Sequence, residues 1–167
     1  MKTVSEQLLA ELTNNGADFF VSVPCKLLGG MIDLLQAQNE PSVTYAPATR
    51  EEEGLGLCAG GYLGGKTPVL VMQNTGVGTL VTSLCSLGLF YQLPILMVIS
   101  HRGSPGEPIS AQVPMSIATR PVLETIGVPT FEFSDAAEIP KVGQLLGYAQ
   151  TAQRPVAALL DFNFWSS

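Results

Sequence analysis

The stretch "TREEEGLGLCAGGYLGGKTPVLVMQNTGVG", residues 49 to 78, contains three signals that together decide the fold. Three consecutive glutamates open a run of small and apolar residues, which predicts a helix packed closely against its neighbours. The apolar run "TPVLVMQ" then predicts a buried strand, and "NTGVG" predicts a glycine turn into another helix. Since a helix turns by about 100° per residue, three consecutive glutamates cannot share one face, and at least one is expected to face the packed side.

Helix and strand signals alternate along the rest of the chain. The other predicted strands are apolar runs, namely "DFFVSVP", "SVTYAPA", "PILMVIS", "PTFEF" and "RPVAALLDF". A capping box at residues 3–6 predicts a first helix, and "LLGGMIDLLQAQ" and "TLVTSLCSLGLFYQ" predict two more. Two further helices are predicted at about 117–126 and 137–153. A long loop is predicted from 101 to about 115. Continuous apolar strands between helices are typical of a parallel sheet covered on both faces. We therefore predict one domain, residues 1–167, with a three-layer α/β/α fold and a mostly parallel six-stranded sheet.

The composition indicates a protein that hides part of its surface against a partner. Charged residues make up 13% of the chain and hydrophobic residues 46%, with a mean hydropathy of +0.30. No apolar run reaches the 18 residues that a membrane span needs, and the first residues lack a signal-peptide pattern, so a cytoplasmic oligomer is expected. The net charge of −6 and the absence of a basic stripe argue against nucleic-acid binding.

Cysteine and histidine are too few and too scattered for a protein-built metal site. Cys25, Cys58 and Cys85 show no metal-like spacing, and His101 is the only histidine. Cys58 and Cys85 lie in apolar helical segments, which predicts buried thiols.

The unusual polar residues follow the predicted strands. The loops "PCKLLGG", "PATREEE", "QNTGVG" and "SHRGSPGEPISAQ" leave the first four strands, and ligands of parallel α/β folds bind at the carboxyl ends of strands. The glycine turn can cradle a phosphate with its N–H groups, or it can be a plain tight turn; it matches neither the Walker loop nor GxGxxG.

Five motifs in order carry a specific resemblance over essentially the whole chain. "VPCKLL", "TREEEG", "MQNTGVG", "SHRG" and "ISAQVP" together resemble the pyrimidine-binding domain of thiamine diphosphate enzymes, and within that superfamily the alpha subunits of sulfopyruvate decarboxylases. Phosphonopyruvate decarboxylases are close relatives. The resemblance implies a lyase that converts 3-sulfopyruvate to sulfoacetaldehyde and CO₂, in sulfonate metabolism such as coenzyme M biosynthesis.

The resemblance also implies a role for one of the three glutamates. In these enzymes a glutamate ten residues before the tyrosine of a Gly-Tyr pair binds the ring nitrogen of the cofactor's aminopyrimidine and helps to generate the nucleophile. Counting back from Tyr62 selects Glu52, with Glu53 as the alternative if the helix register shifts by one. Glu51 and Glu53 are then expected on other faces, as solvated charges or charges that stabilise the helix dipole. The cofactor-binding residues implied by the resemblance are Glu52, Asn74, Thr75, Gly76 and Gly78.

A second subunit is implied by what the chain lacks. Complete thiamine diphosphate enzymes carry a second domain whose GDG motif holds Mg²⁺ and the diphosphate, and no GDG occurs here. The resemblance therefore implies a hetero-oligomer with a beta subunit that holds most of the diphosphate and metal. This chain alone is expected to be inactive.

Candidate residues for the substrate follow the strand ends. An acidic 2-keto acid needs cations or hydrogen-bond donors, and Pro24, Cys25, Lys26, Arg102 and Gln112 are the predicted binding residues. Lys26 is equally compatible with a solvated lysine, and Arg102 with a surface ion pair. His101 is predicted as a catalytic proton relay, with a structural histidine as the alternative.

Three other functions remain open at this point. The substrate can be phosphonopyruvate, which differs from sulfopyruvate by one charge. The chain can instead be a non-catalytic module that binds a nucleotide or regulates through the NTGVG turn. It can also be a degenerate subunit retained for assembly.

Overall fold

The computed structural model describes residues 2–38 and 40–166. The strands are Phe19–Ser22 (β1), Thr44–Pro47 (β2), Pro68–Gln73 (β3), Leu96–Ser100 (β4), Thr130–Phe133 (β5) and Val156–Leu160 (β6). All neighbours pair in parallel in one sheet of order β2-β1-β3-β4-β6-β5. The predicted α/β class and six-stranded sheet are confirmed. The prediction of a single domain also covers residues 1, 39 and 167, outside the described ranges, and stays a prediction.

Helices cover both faces of the sheet. Their bounds are Val4–Asn14 (α1), Gly29–Ala37 (α2), Glu51–Leu63 (α3), Val77–Ser83 (α4), Val113–Thr125 (α5), Ile139–Ala152 (α6) and Phe162–Ser166 (α7). Short 3₁₀ turns precede four of them, at Lys26–Leu28, Asn74–Gly76, Ser110–Gln112 and Ala136–Glu138, and α4 continues into a π-helical segment, Leu84–Leu89. Helices α1, α2 and α6 enclose one apolar core, and α3, α4 and α5 enclose the other. No helix in the described ranges has the length and hydrophobicity that crossing a membrane requires.

Local sequence explains the ends of α1 and the close approach of α3. The Thr3 hydroxyl and the Glu6 carboxylate form the predicted capping box of α1, and Gly16 ends the turn behind it with φ of 98°. In α3, a Cβ at Gly54 would lie 2.8 Å from Leu70 Cδ1, so glycine lets this helix lie directly on β3. The small residues after the glutamates thus serve packing against the sheet.

The structure differs from the sequence predictions at three places. Helix α5 begins at Val113 and not near residue 117, because Pro114 fits in a first turn, where its missing N–H costs nothing. Cys58 is buried as predicted, but the prediction for Cys85 is wrong: Cys85 lies on the outer side of the π-helical segment and is exposed. The short helix α7 was not predicted.

The topology creates a crevice at the carboxyl end of the sheet. The chain leaves β1 toward α2 on one face and leaves the adjacent strand β3 toward α4 on the other face. Such divergence between neighbouring strands is the usual ligand position in open parallel sheets. The loops that follow β1 and β3 therefore frame the candidate site.

Candidate active site at the carboxyl end of the sheet

Gln73, the last residue of β3, connects the loops around the crevice. Its carbonyl oxygen Oε1 accepts a hydrogen bond from Cys25 Sγ at 3.1 Å, and its Nε2 donates to Thr75 Oγ1 at 2.7 Å and to Gln112 Oε1 at 3.3 Å. Cys25 Sγ also lies 3.2 Å from Ser100 Oγ at the end of β4. The loops after β1, β3 and β4 thus meet in one polar cluster, which brings together three predicted site residues, Cys25, Thr75 and Gln112.

Gln73 and Ser100 belong to this cluster although neither was predicted as a site residue. Both are the final residues of otherwise apolar strands, "PVLVMQ" and "LMVIS". A polar residue that ends a buried parallel strand points into the same edge as the loops, and that signal was present in the sequence.

Pro24 and Lys26 flank Cys25 and are exposed. Lys26 begins the 3₁₀ turn before α2, and its side chain makes no hydrogen bond or ion pair with the part of the chain that the structure describes. Its ammonium group is therefore available to an anion at the carboxyl end of β1.

The Asn74 side chain is fully buried and ties two loops together. Its Oδ1 accepts from the Arg102 N–H at 3.1 Å, and its Nδ2 donates to the Arg102 carbonyl at 2.9 Å and to Thr119 Oγ1 at 3.2 Å. These bonds occupy both polar atoms of the amide, so the side chain holds the loop after β4 against β3 and α5. Any contact of this residue with a cofactor would be through its backbone.

Arg102 forms a buried ion pair with Glu107. Its Nε and Nη2 lie 2.5 and 2.6 Å from the two carboxylate oxygens, and the two side chains are 7% and 1% exposed. Glu107 also accepts from the N–H groups of Gly103 and Ile109. The guanidinium lowers the pKa of Glu107 to about 2, and Glu107 in turn raises the pKa of Arg102. The charge of Arg102 is thus compensated inside the loop.

The His101 ring lies outside the polar cluster. Its Nε2 is 3.0 Å from Ser116 Oγ and 3.2 Å from the Ser116 carbonyl, on the α5 side of the sheet. The ring lines a separate cavity of about 310 Å³ together with Ser134 and Asp161, and none of the cluster residues around Gln73 lines that cavity. The structure does not bring His101 together with the other predicted substrate residues.

The three glutamates at the start of α3 have three different environments. Glu53 is exposed and accepts from the N–H and hydroxyl of Thr49 at 2.8 and 2.7 Å. Glu51 is half-buried and packs its carboxyl group against Gly76, so of its two expected roles the structure fits a charge near a helix N-terminus better than a solvated charge. Glu52 accepts from Arg50 Nε at 2.8 Å with its Oε1. Its own backbone N–H, Arg50 and the nearby Thr79 hydroxyl lower the pKa of Glu52, which keeps the carboxylate ionised near neutral pH.

The second carboxylate oxygen of Glu52 is the unsatisfied polar atom of this region. Glu52 Oε2 is buried and has no hydrogen-bond partner among the described residues. A desolvated carboxylate oxygen without a donor is costly, so it indicates a donor supplied from outside the chain. A protonated or N–H-bearing heterocyclic nitrogen fits such an acceptor. The open space beside Gly78, where a Cβ would meet nothing, leaves room for a ligand or a partner.

The described residues offer no metal centre. They contain no group of three or more His, Cys, Asp or Glu side chains placed to hold an ion. This chain can therefore contribute a carboxylate and hydrogen-bonding groups at the site, while a metal ion would need other ligands.

Comparisons with known proteins identify the class and then the family. The fold matches a solved 2-oxoglutarate:ferredoxin oxidoreductase from Magnetococcus marinus with a TM-score of 0.79 and 17% identity, over 98% of this chain and 29% of that chain. The chain thus shares the fold of part of a 2-oxoacid oxidoreductase. It is also 40% identical, over 162 residues, to the sulfopyruvate decarboxylase subunit alpha of Methanothermobacter thermautotrophicus, covering 96% of this chain and 97% of that protein. The chain belongs to the family of sulfopyruvate decarboxylase alpha subunits.

Two further relatives define the limits of the family. A sulfopyruvate decarboxylase of Methanosarcina acetivorans is 30% identical over 97% of this chain, which spans 41% of that longer protein. A phosphonopyruvate decarboxylase of Streptomyces viridochromogenes is 33% identical over 60% of this chain and 25% of its own length. No protein-family model matches the chain. The resemblance stated from the sequence is confirmed, and the chain is a decarboxylase alpha subunit.

Proposed function

We propose that this chain, together with a beta subunit, decarboxylates 3-sulfopyruvate to sulfoacetaldehyde and CO₂ with thiamine diphosphate and Mg²⁺. The reaction breaks the bond between the keto carbon and the carboxylate, and the carbon takes up one proton in its place. The observation that carries the proposal is Glu52 Oε2, a buried carboxylate oxygen without a donor among the described residues, at the position where the resemblance implies the cofactor-binding glutamate.

Glu52 is assigned to the aminopyrimidine of the cofactor. When bound, thiamine diphosphate supplies the nucleophilic carbon and the electron sink that the reaction needs. The ionised Glu52 would accept a hydrogen bond from the ring nitrogen, in a site where burial strengthens the bond. Thr75, Gly76, Gly78 and the Asn74 backbone form the turn beside it.

Lys26 is assigned to the acidic substrate. It is the free cation beside the polar cluster, whereas Arg102 is paired with Glu107 inside its own loop. Cys25 and Gln112 would complete the substrate side through the network around Gln73. These donors orient an acid without entering the bond-breaking step. His101, hydrogen-bonded to Ser116 outside this cluster, remains only the predicted proton relay.

A beta subunit is proposed because one face of this chain is uncharged and apolar. No Lys, Arg, Asp or Glu occurs in residues 54–65 or 67–100. Helices α3 and α4 pack side by side there. Helix α3 exposes Leu57 and Leu63, and Phe90 and Tyr91 are exposed just after the π-helical segment that continues α4. We call this the α3/α4 face. Apolar exposure of this extent is typical of a subunit contact. The single longer chain from Methanosarcina acetivorans, of which this chain spans 41%, leaves room for a second half of the enzyme.

The test is a decarboxylation assay on the complex of this chain with a co-expressed beta subunit, with and without thiamine diphosphate and Mg²⁺. We expect CO₂ release only when both are present, and a loss of several orders of magnitude in kcat for Glu52→Gln. The matched control is Glu53→Gln, one residue away and bonded only to Thr49, which should keep kcat. A complex that turns over equally with Glu52→Gln would contradict the assignment.

The phosphonopyruvate alternative is tested in the same assay. A relative named phosphonopyruvate decarboxylase matches 60% of this chain, and the two acids differ by one charge. Comparing kcat/KM for the two acids decides between them. Binding of a nucleotide by this chain, with activity indifferent to Glu52→Gln, would favour the non-catalytic module instead.

A further inference from the structure

The backbone conformation of Gly76 does not require a glycine. Its φ of −70° and ψ of −14° lie in the right-handed helical region, which any residue adopts. A Cβ at this position would collide with Cγ, Cδ and Oε1 of Glu51. The missing side chain therefore makes room for the glutamate.

The contact joins two elements of the candidate site. Gly76 ends the 3₁₀ turn that leads from β3 into α4, and Glu51 is the first residue of α3. The Glu51 side chain is half-buried and makes no hydrogen bond with the described residues, so it is held there by packing. The first turn of α4 has no side-chain cap, and a carboxylate beside its N-terminus is electrostatically favourable.

The first turn of α3 is thus fixed on three sides. Glu53 binds Thr49, Gly54 lies on Leu70, and Glu51 lies on Gly76. Glu52 is the remaining side chain of this turn, and its direction depends on how the turn is held. Its Oε2 is the atom without a partner.

We infer that Glu51 is a positioning residue that acts through Glu52. By filling the space above Gly76, it sets the distance between the start of α3 and the NTGVG turn, and so aims Glu52 Oε2 at its donor. The shape of the Glu51 side chain matters for this role more than its charge. This inference rests on the proposed function of Glu52.

The test is a set of four variants in the complex with the beta subunit: Glu51→Gln, Glu51→Ala, Gly76→Ala and the double variant Glu51→Ala/Gly76→Ala. Because Glu51→Gln keeps the shape, we expect its kcat within about twofold of the unchanged complex. Glu51→Ala and Gly76→Ala should each lower kcat about tenfold or more, since small misplacements of a catalytic group are costly. The KM for the keto acid should hardly change, and the double variant should recover part of the loss of Gly76→Ala.

Thermal unfolding of the full chain gives a second readout that needs no turnover. The added methyl group of Gly76→Ala should lower the melting temperature by roughly 3 to 10 °C, as overpacking does. Removing the Glu51 side chain in the double variant should restore most of it. Loss of kcat by Glu51→Gln equal to that of Glu52→Gln would overturn the inference, and so would a Gly76→Ala variant that is fully stable or not relieved by Glu51→Ala.

These results separate the two claims. The proposed function is overturned if the unsubstituted complex is inactive, or if the complex with Glu52→Gln is fully active. The coupling between positions 51 and 76 is measured separately, by thermal unfolding. If that coupling is present but Glu51→Ala keeps full kcat, the contact exists and the positioning role is wrong.

Discussion

Replacing Glu107 by glutamine should destabilise the fold strongly although Glu107 touches neither sheet core. The change leaves Arg102 buried, at 7% exposure, without a counter-charge. Breaking a buried ion pair by removing one partner costs about 3 to 5 kcal/mol. The Gly103 and Ile109 N–H groups bind different oxygens of Glu107, so glutamine keeps an acceptor for only one of them, and a cost of at least about 3 kcal/mol is expected.

The lowered pKa of Glu107 is consistent with this magnitude. It falls from its ordinary value of 4.5 to about 2 because Arg102 donates to the carboxylate. A shift of this size corresponds to about 3 kcal/mol at neutral pH. For a carboxyl group with a lowered pKa, this stability is fully present above pH 4.5 and is lost as the pH falls toward 2.

The assay is urea unfolding followed by circular dichroism, at pH 7 and in steps from pH 5 to 2.5. The free-energy advantage of the unchanged chain over Glu107→Gln should be about 3 kcal/mol at pH 7 and shrink below pH 4.5. The control is Glu124→Gln, which removes a half-exposed partner of Arg120 four residues away on α5. Such exposed pairs contribute little. An equal effect of both variants at pH 7, or an advantage that does not change with pH, would refute the reasoning.

Three further predictions concern the site and the α3/α4 face. Lys26→Ala should raise the KM for the keto acid about tenfold in the complex with little change in kcat, because one charge-assisted contact is lost; an unchanged KM would remove Lys26 from the site. Asn74→Ala should cost about 2 kcal/mol in urea unfolding, since it leaves buried main-chain groups of Arg102 without partners; an unaffected midpoint would show that water replaces the amide. In thiol labelling, the exposed Cys85 should react in the chain alone and be protected in the complex. Cys58 should react in neither, because burial raises the pKa of its thiol. If Cys85 labels equally fast in the complex, the subunit contact lies elsewhere.

The sheet could be predicted from the sequence because its signals are local. Each parallel strand is a continuous apolar run, since both faces are buried, and each is bounded by polar or glycine-rich loops. The capping box of α1 is likewise a pattern of two residues three apart, Thr3 and Glu6. The start of α5 could not be placed from the pattern, because Pro114 is compatible both with a loop and with a first helical turn.

The site could be predicted as a region but not in its contacts. Strand order decides that the loops after β1, β3 and β4 meet, and the sequence indicated those loops. The pairing of Arg102 with Glu107, five residues apart in a loop without regular structure, follows no periodicity and removes a predicted substrate cation.

The exposure of Cys85 was missed for another reason. An apolar helix surface has the same sequence pattern whether it faces a core or a second subunit.

The unsatisfied carboxylate oxygen of Glu52 gives an energetic reason for this chain to bind a partner. Folding of this chain buries Glu52 Oε2 without a hydrogen-bond partner among the described residues, which costs free energy, while the lowered pKa of Glu52 keeps the carboxylate ionised near neutral pH. Any donor that reaches Oε2 from outside the chain recovers part of this free energy, so the unsatisfied oxygen favours assembly with cofactor over the chain alone. The contacts with Thr49, Leu70 and Gly76 restrain the first turn of α3 and with it Glu52. Without these contacts the Glu52 side chain would turn into solvent, and Oε2 would no longer be oriented to accept a hydrogen bond.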